Sequence, residues 1–240
     1  MLIYRSFDAL IYSKIPYLIA CDISRERNPV CGRYANHVTA MQQWSEILRD
    51  WPAGIPTGYN ISPGQIVPVV VGTVTMPMKW GLVPAWVKEA KLKYSTFNAR
   101  VESAPQKPAF RQAWRRGQSC LVPALGFYEW RNEVSGKQPY FVCSSQGLPL
   151  VFAGLWDSGA GQSSFTILTQ AANDSLSALH HRMPFILDTV YAQRWLEGDL
   201  KSVVEEQDFG PVNDLYYYPV SKEANNARNE GAQLIAPLDC

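Results

Sequence analysis

Short apolar runs separated by Gly, Pro and Asn dominate the chain, and longer helical periods are few. Val38, Met41, Trp44 and Leu48 recur at three and four residues, which predicts an amphipathic helix over 38–48 that ends near Trp51-Pro52. Residues 58–64 read as a turn-rich loop. Residues 66–74 read as a valine-rich strand that Pro68 confines to an edge or a bulge. Phe110–Arg116 predicts a short helix leading into a strand over 119–124. Further strands are expected over 139–143, 148–155 and 165–170, with helices over 175–181 and 191–197. Residues 1–30 sustain neither period and end in a charged, Pro-containing stretch, Arg25–Val30, that reads as a linker. No internal repeat or low-complexity segment interrupts the pattern.

Composition narrows the class. A chain of 240 residues with 47% apolar content has ample material for a core and is not disordered. It lacks a run of 18 apolar residues, so no membrane span is expected. A net charge of +1 gives no general attraction to nucleic acid, so only a local patch would support such a partner. One exists between Lys79 and Arg131, where Lys88, Lys91, Lys93, Arg100, Lys107, Arg111, Arg115 and Arg116 interleave with Trp80, Trp86, Tyr94, Phe97 and Trp114. Alternating cations and aromatics suit a single-stranded groove. The two tryptophans of Trp80–Trp86 are either core plugs or a stacking platform. The five cysteines are an odd number and form no metal spacing, which suits a reducing, cytoplasmic setting and predicts no metal and no cofactor.

Three stretches carry candidate chemistry. In Cys31-Gly32-Arg33-Tyr34, glycine leaves the cysteine sterically open. As a free N-terminus, Cys31 could trap an aldehyde through its amine and then its thiol; otherwise it is a small buried hydrophobe. Val30 stands where an initiator would, since a GTG codon read elsewhere as valine can start translation. Residues 1–30 are therefore expected to lie outside the mature protein, as a mis-assigned start or a propeptide. In Gly126–Trp130, Glu129 lies between bulky aromatics, which would raise its pKa and suit a proton shuttle, unless it is a surface residue on a strand edge. In His180-His181-Arg182-Met183-Pro184, adjacent histidines point apart, which argues for an acid/base or structural role over metal binding. If Phe97–Glu102 is extended, Asn98, Arg100 and Glu102 share one side.

Taken together, CGRY, GYNISPG, WGLVPAW, FNARVE, GFYEW and HHRMP, in this order, resemble the SRAP family (SOS response-associated peptidase, or abasic-site processing proteins) from Cys31 to about Pro237. The resemblance implies one α+β domain over 31–237, with a β-rich, largely antiparallel, barrel-like core flanked by helices. It implies single-stranded DNA containing abasic sites as the partner of a monomer, associated with the nucleoid when on damaged DNA. The activity implied is exposure of Cys31, then a thiazolidine crosslink to the abasic aldehyde, with a possible lyase side reaction. Carried over by residue, Cys31 is the nucleophile, Asn98 positions its amine, Glu129 shuttles protons and His180 is a general acid/base. Arg33, Asn60, Trp80, Arg100 and Arg182 contact phosphates or stack near the lesion. A cysteine peptidase acting on other proteins and a non-catalytic single-strand binder are the rival readings.

Overall fold

A computed structural model describes residues 31–36, 57–88, 92, 94–134, 136–206 and 215–238. The helix expected over 38–48 and the extension over 1–30 lie outside the described residues.

Twelve strands and four α-helices make up the described fold: β1 (Tyr34–Asn36), β2 (Gly58–Ile61), β3 (Ile66–Val71), β4 (Val74–Trp80), β5 (Asn98–Arg100), α1 (Arg111–Arg115), β6 (Ser119–Ala124), β7 (Gly126–Glu133), β8 (Gly136–Ser144), β9 (Leu150–Gly159), β10 (Gln162–Ala171), α2 (Asp174–Ser177), β11 (Arg182–Pro184), α3 (Thr189–Leu196), α4 (Leu200–Glu206) and β12 (Leu215–Pro219). Strands β10, β4, β3, β6 and β9 form a ring that closes through the β9–β10 hairpin, so these five make a barrel. Closure removes sheet edges. All its pairings are antiparallel except β4–β10. The second half of β10 outruns the ring and takes β5 on one side and β11 on the other, pairing Thr169 with both Arg100 and Pro184. A five-stranded sheet, β12-β8-β7-β1-β2, packs beside the barrel. The chain is thus a single α+β domain with a β-rich, largely antiparallel barrel flanked by helices.

Side-chain alternation explains the layers. Val67 and Val69, Cys120 and Val122, Phe152, and Phe165 and Ile167 fill one cluster, joined by Tyr34, Phe127 and Val142 from the five-stranded sheet. The intervening residues Val70, Leu121, Ala153 and Leu168 face a second cluster built with Trp195 and Val203 of α3 and α4. Trp114 of α1 meets Trp195 edge-on at 6.1 Å. The valine run expected as one strand over 66–74 is a hairpin, because Gly72 at φ +55° turns the chain between Val71 and Val74. Pro68 faces Pro77 across that hairpin, so two residues without N–H groups share one position. The predicted loop over 58–64 contains β2, and Met78–Trp80, at the start of the two-tryptophan stretch, complete β4. The helix expected over 175–181 is only the four-residue α2, capped by the Asn173 side chain. No helix among the described residues is long and apolar enough to cross a membrane.

Candidate functional site

Strand β7 brings the chemistry to the core. Its alternation turns Phe127 and Glu129 inward, while Tyr128 and Trp130 face the opposite side. Glu129 is consequently 4% exposed, on the strand but not at its surface. Its Oε1 accepts a hydrogen bond from the Cys31 N–H at 2.7 Å. Burial pushes the Glu129 carboxyl up to about 8, although that hydrogen bond pulls in the opposite direction. Asn98, at the start of β5, donates through Nδ2 to the Cys31 carbonyl oxygen at 3.3 Å. The structure therefore brings Cys31, Glu129 and Asn98 together, with the amide on the carbonyl side of the cysteine and the carboxyl on its nitrogen.

The expectation of an open thiol is corrected. Cys31 is fully buried within the inner cluster, and burial, followed by the Glu129 charge, raises its thiol well above the ordinary range. Its backbone stands at φ +43°, a left-handed conformation that costs a non-glycine residue about 1–2 kcal/mol. The strain and the bond to Glu129 both fall on the nitrogen of this residue.

His180 and His181 follow α2 and, contrary to the expectation that they point apart, stack at 4.4 Å because they lie beyond the short helix. The His180 Nδ1 lies 3.1 Å from both the N–H and the carbonyl oxygen of Arg182. A pocket of about 330 Å³ runs from these histidines, past Ser177 and Leu179, to Trp130, Arg131 and Asn132. His180 and Trp130, the residue after Glu129, thus border the same pocket.

Of the five residues expected to meet DNA, two are placed otherwise. Trp80 is 1% exposed, its Nε1 donates to the Phe97 carbonyl, and Tyr34, Phe97 and Phe165 surround its ring. No face is left for a base, so Trp80 is a core plug. The exposed tryptophan of that stretch is Trp86. Asn60 is also fully buried, and its amide is occupied: Oδ1 accepts from Arg33 at 2.5 Å, and Nδ2 donates to the carbonyls of Asn226 and Asn229. Its place is structural. Arg33 is half-buried, with its guanidinium 5.7 Å over the Trp130 ring. Arg182 is nearly buried and grips Glu102 in a bidentate pair at 2.5 and 2.9 Å, while also donating to the Thr169 carbonyl. Burial pushes the Glu102 carboxyl up, but the bonds and charge of Arg182 bring it below the usual range. Arg100 is exposed beside this pair, and Lys88, Lys107, Arg111, Arg115 and Arg116 are exposed as well. Lys91 and Lys93 lie outside the described residues. No group of three or more His, Cys, Asp or Glu side chains is placed to hold a metal ion among the described residues.

Sequence reasoning missed Trp130 as a site residue, although it stood beside Glu129 and its opposite facing followed from strand alternation.

Comparison with known proteins gives the family and the fold. The profile of the family described as SOS response associated peptidase (SRAP) matches residues 30–227. The abasic site processing protein YedK of Escherichia coli is 29% identical over 227 residues, covering 87% of this chain and 100% of its own. The abasic site processing protein HMCES of Rattus norvegicus is 30% identical over 247 residues, covering 83% of this chain and 69% of its own. A Bacteroides thetaiotaomicron protein of known crystal structure superposes with a TM-score of 0.74 at 21% identity, covering 87% of this chain and 100% of that one. A second, from Bordetella bronchiseptica, gives 0.70 at 26% identity, with 80% and 100% covered.

Proposed function

The chain belongs to the SRAP family, and on that premise we propose that it processes abasic sites in single-stranded DNA through Cys31 as a free N-terminal residue. The observation that carries this reading is the 2.7 Å contact between the Cys31 nitrogen and a buried carboxyl whose pKa is about 8. A group of that pKa is mostly protonated at neutrality yet able to exchange its proton, which is what a shuttle requires.

Two steps use it. In the first, water adds to the Val30 carbonyl carbon and the bond to the Cys31 nitrogen breaks. Glu129 gives its proton to the departing nitrogen and regains one from the water. The strain at φ +43° favours this cut, because an N-terminal residue has no preceding carbonyl to clash with its Cβ. Loss of that link also frees Cys31 to turn its buried thiol outward. In the second step, the free amine, with a reference pKa of about 7.7–8.0, adds to the open aldehyde of the abasic sugar. Glu129 protonates the resulting hydroxyl and water leaves, giving the imine. The Cys31 sulfur then adds to the same carbon while the thiol proton passes to nitrogen, closing a thiazolidine with net loss of one water. Asn98 holds the Cys31 carbonyl through this sequence. His180 serves the sugar from the pocket wall, and Arg33, Arg100 and Arg182 attract the phosphates. The sugar's 3′ elimination is suppressed once the ring closes, and a lyase outcome belongs to the imine alone.

The family match beginning at residue 30 supports an extension outside the working domain. A soluble monomer acting on cytoplasmic DNA fits this reading. A second reading, binding without chemistry, draws on the full burial of the Cys31 thiol. The test uses the full chain and a protein starting with methionine directly before Cys31, each incubated with single-stranded DNA carrying one abasic site. A band retained on a denaturing gel with the short protein supports the proposal. Retention with both means the full chain cuts itself before Cys31. Retention with neither leaves the binding-only reading.

A further inference from the structure

The amide-rich segment after β12 fastens the outer face of the five-stranded sheet. Ala224 is buried against Ala35, Tyr128 and Phe141, which seats a 3-10 turn, Lys222–Asn225, on that face. From this turn the Ala224 carbonyl accepts a second bond from Arg33 Nη1, at 3.2 Å. The Asn225 Oδ1 accepts from the indole Nε1 of Trp130 at 2.7 Å. One and four residues further along, the strap is locked by Asn60, whose Nδ2 donates to the carbonyl oxygens of Asn226 and Asn229.

We infer that this strap is a positioning device for the pocket, and that Asn225 is the residue that fixes the Trp130 ring between Arg33 and the His180 wall. The inference rests on the DNA-binding reading above and deepens it. A tryptophan on a strand can rotate about two side-chain bonds. An acceptor at its indole nitrogen selects one setting, and the guanidinium 5.7 Å over the ring meets that same setting. A base entering the pocket meets an aromatic wall already in place, so it spends no binding energy ordering it. Asn225 itself is exposed and touches no core residue through this bond, so its loss leaves the seating by Ala224 intact.

The experiment is a double-mutant cycle on binding of an undamaged single-stranded oligonucleotide, read by the dissociation constant. Asn225→Ala is expected to weaken binding by about 3–10-fold, the scale of one lost hydrogen bond. In a Trp130→Phe background, where no indole N–H exists, the same change is expected to cost less than about 2-fold. An equal loss in both backgrounds, or none in either, would overturn the inference. Failure of the parent to bind the oligonucleotide would instead overturn the functional reading. The indole N–H resonance of Trp130 gives a second readout independent of DNA. It should move in Asn225→Ala and return in Asn225→Asp, which keeps the acceptor. A resonance unmoved by Asn225→Ala would overturn the inference even if binding changed.

Discussion

Replacing Glu129 by glutamine should abolish a pH dependence of stability that this one buried carboxyl creates. The folded protein holds the Glu129 proton up to about pH 8, whereas the unfolded chain releases it near 4.5. Between those values the native state binds more protons than the unfolded state, so stability is greatest at the acid end and falls as pH rises. Each pH unit is worth 1.36 kcal/mol, so a gap of about 3.5 units amounts to a loss on the order of 5 kcal/mol. Above about pH 8 both states are ionised and the loss is complete. Glutamine is similar in shape, and its side-chain oxygen can still accept from the Cys31 N–H. Urea unfolding of the full chain and of Glu129→Gln would be followed from pH 5 to pH 9. Other titrating groups are common to both proteins and cancel in the difference. At a denaturant slope of about 2 kcal/mol per M, the parent midpoint should fall by about 2 M relative to the variant. Parallel curves over pH 5–8 would refute the claim that Glu129 is protonated at neutrality, and with it the shuttle.

Other perturbations should separate site from scaffold. Asn98→Ala removes the bond to the Cys31 carbonyl and should slow crosslinking by about 5–10-fold with little change in DNA affinity, as measured on denaturing gels and by titration. Trp80→Phe should lower stability by about 1–3 kcal/mol, because the Phe97 carbonyl loses its donor, yet leave DNA affinity unchanged while the protein is folded; a large affinity loss would restore the stacking role. Gly159→Ala should be among the most damaging small substitutions, since its Cβ would sit 2.2 Å from the Pro84 carbonyl oxygen and 2.6 Å from that of Val83; thermal melting at near-wild-type temperature would contradict this.

What the sequence disclosed follows from range. Strand β6 was readable to the residue because its apolar run is bounded by a Gly-Gln pair and a Gly, and α1 because its signals are local. β11 and β12 were not seen: three and five residues offer too little period, and each is held as a strand by a distant partner, β10 or β8. The hairpin inside the 66–74 run was missed because valines continue on both sides of Gly72 and the run reads as one strand. Glu129 was found because its aromatic neighbours implied an apolar setting. Trp80 and Asn60 were misjudged because polarity and ring size do not say which side of a strand faces the core; the closed barrel and the strap decide that. Burial of the Cys31 thiol stood only as one of two readings for the same reason. Glycine beside it gave space along the chain, while the covering groups come from strands far away in sequence.

The central claim is that Cys31 traps the aldehyde through both its nitrogen and its sulfur. Mass spectrometry of the Cys31 peptide, digested from the crosslink formed by the protein that begins at Cys31, tests it most directly. The expected product is a peptide carrying the sugar less one water and unchanged by borohydride, with Cys31→Ser giving only a species that borohydride reduces. A sugar attached at another residue, or a Cys31 adduct that borohydride reduces as readily as that of Cys31→Ser, would contradict it.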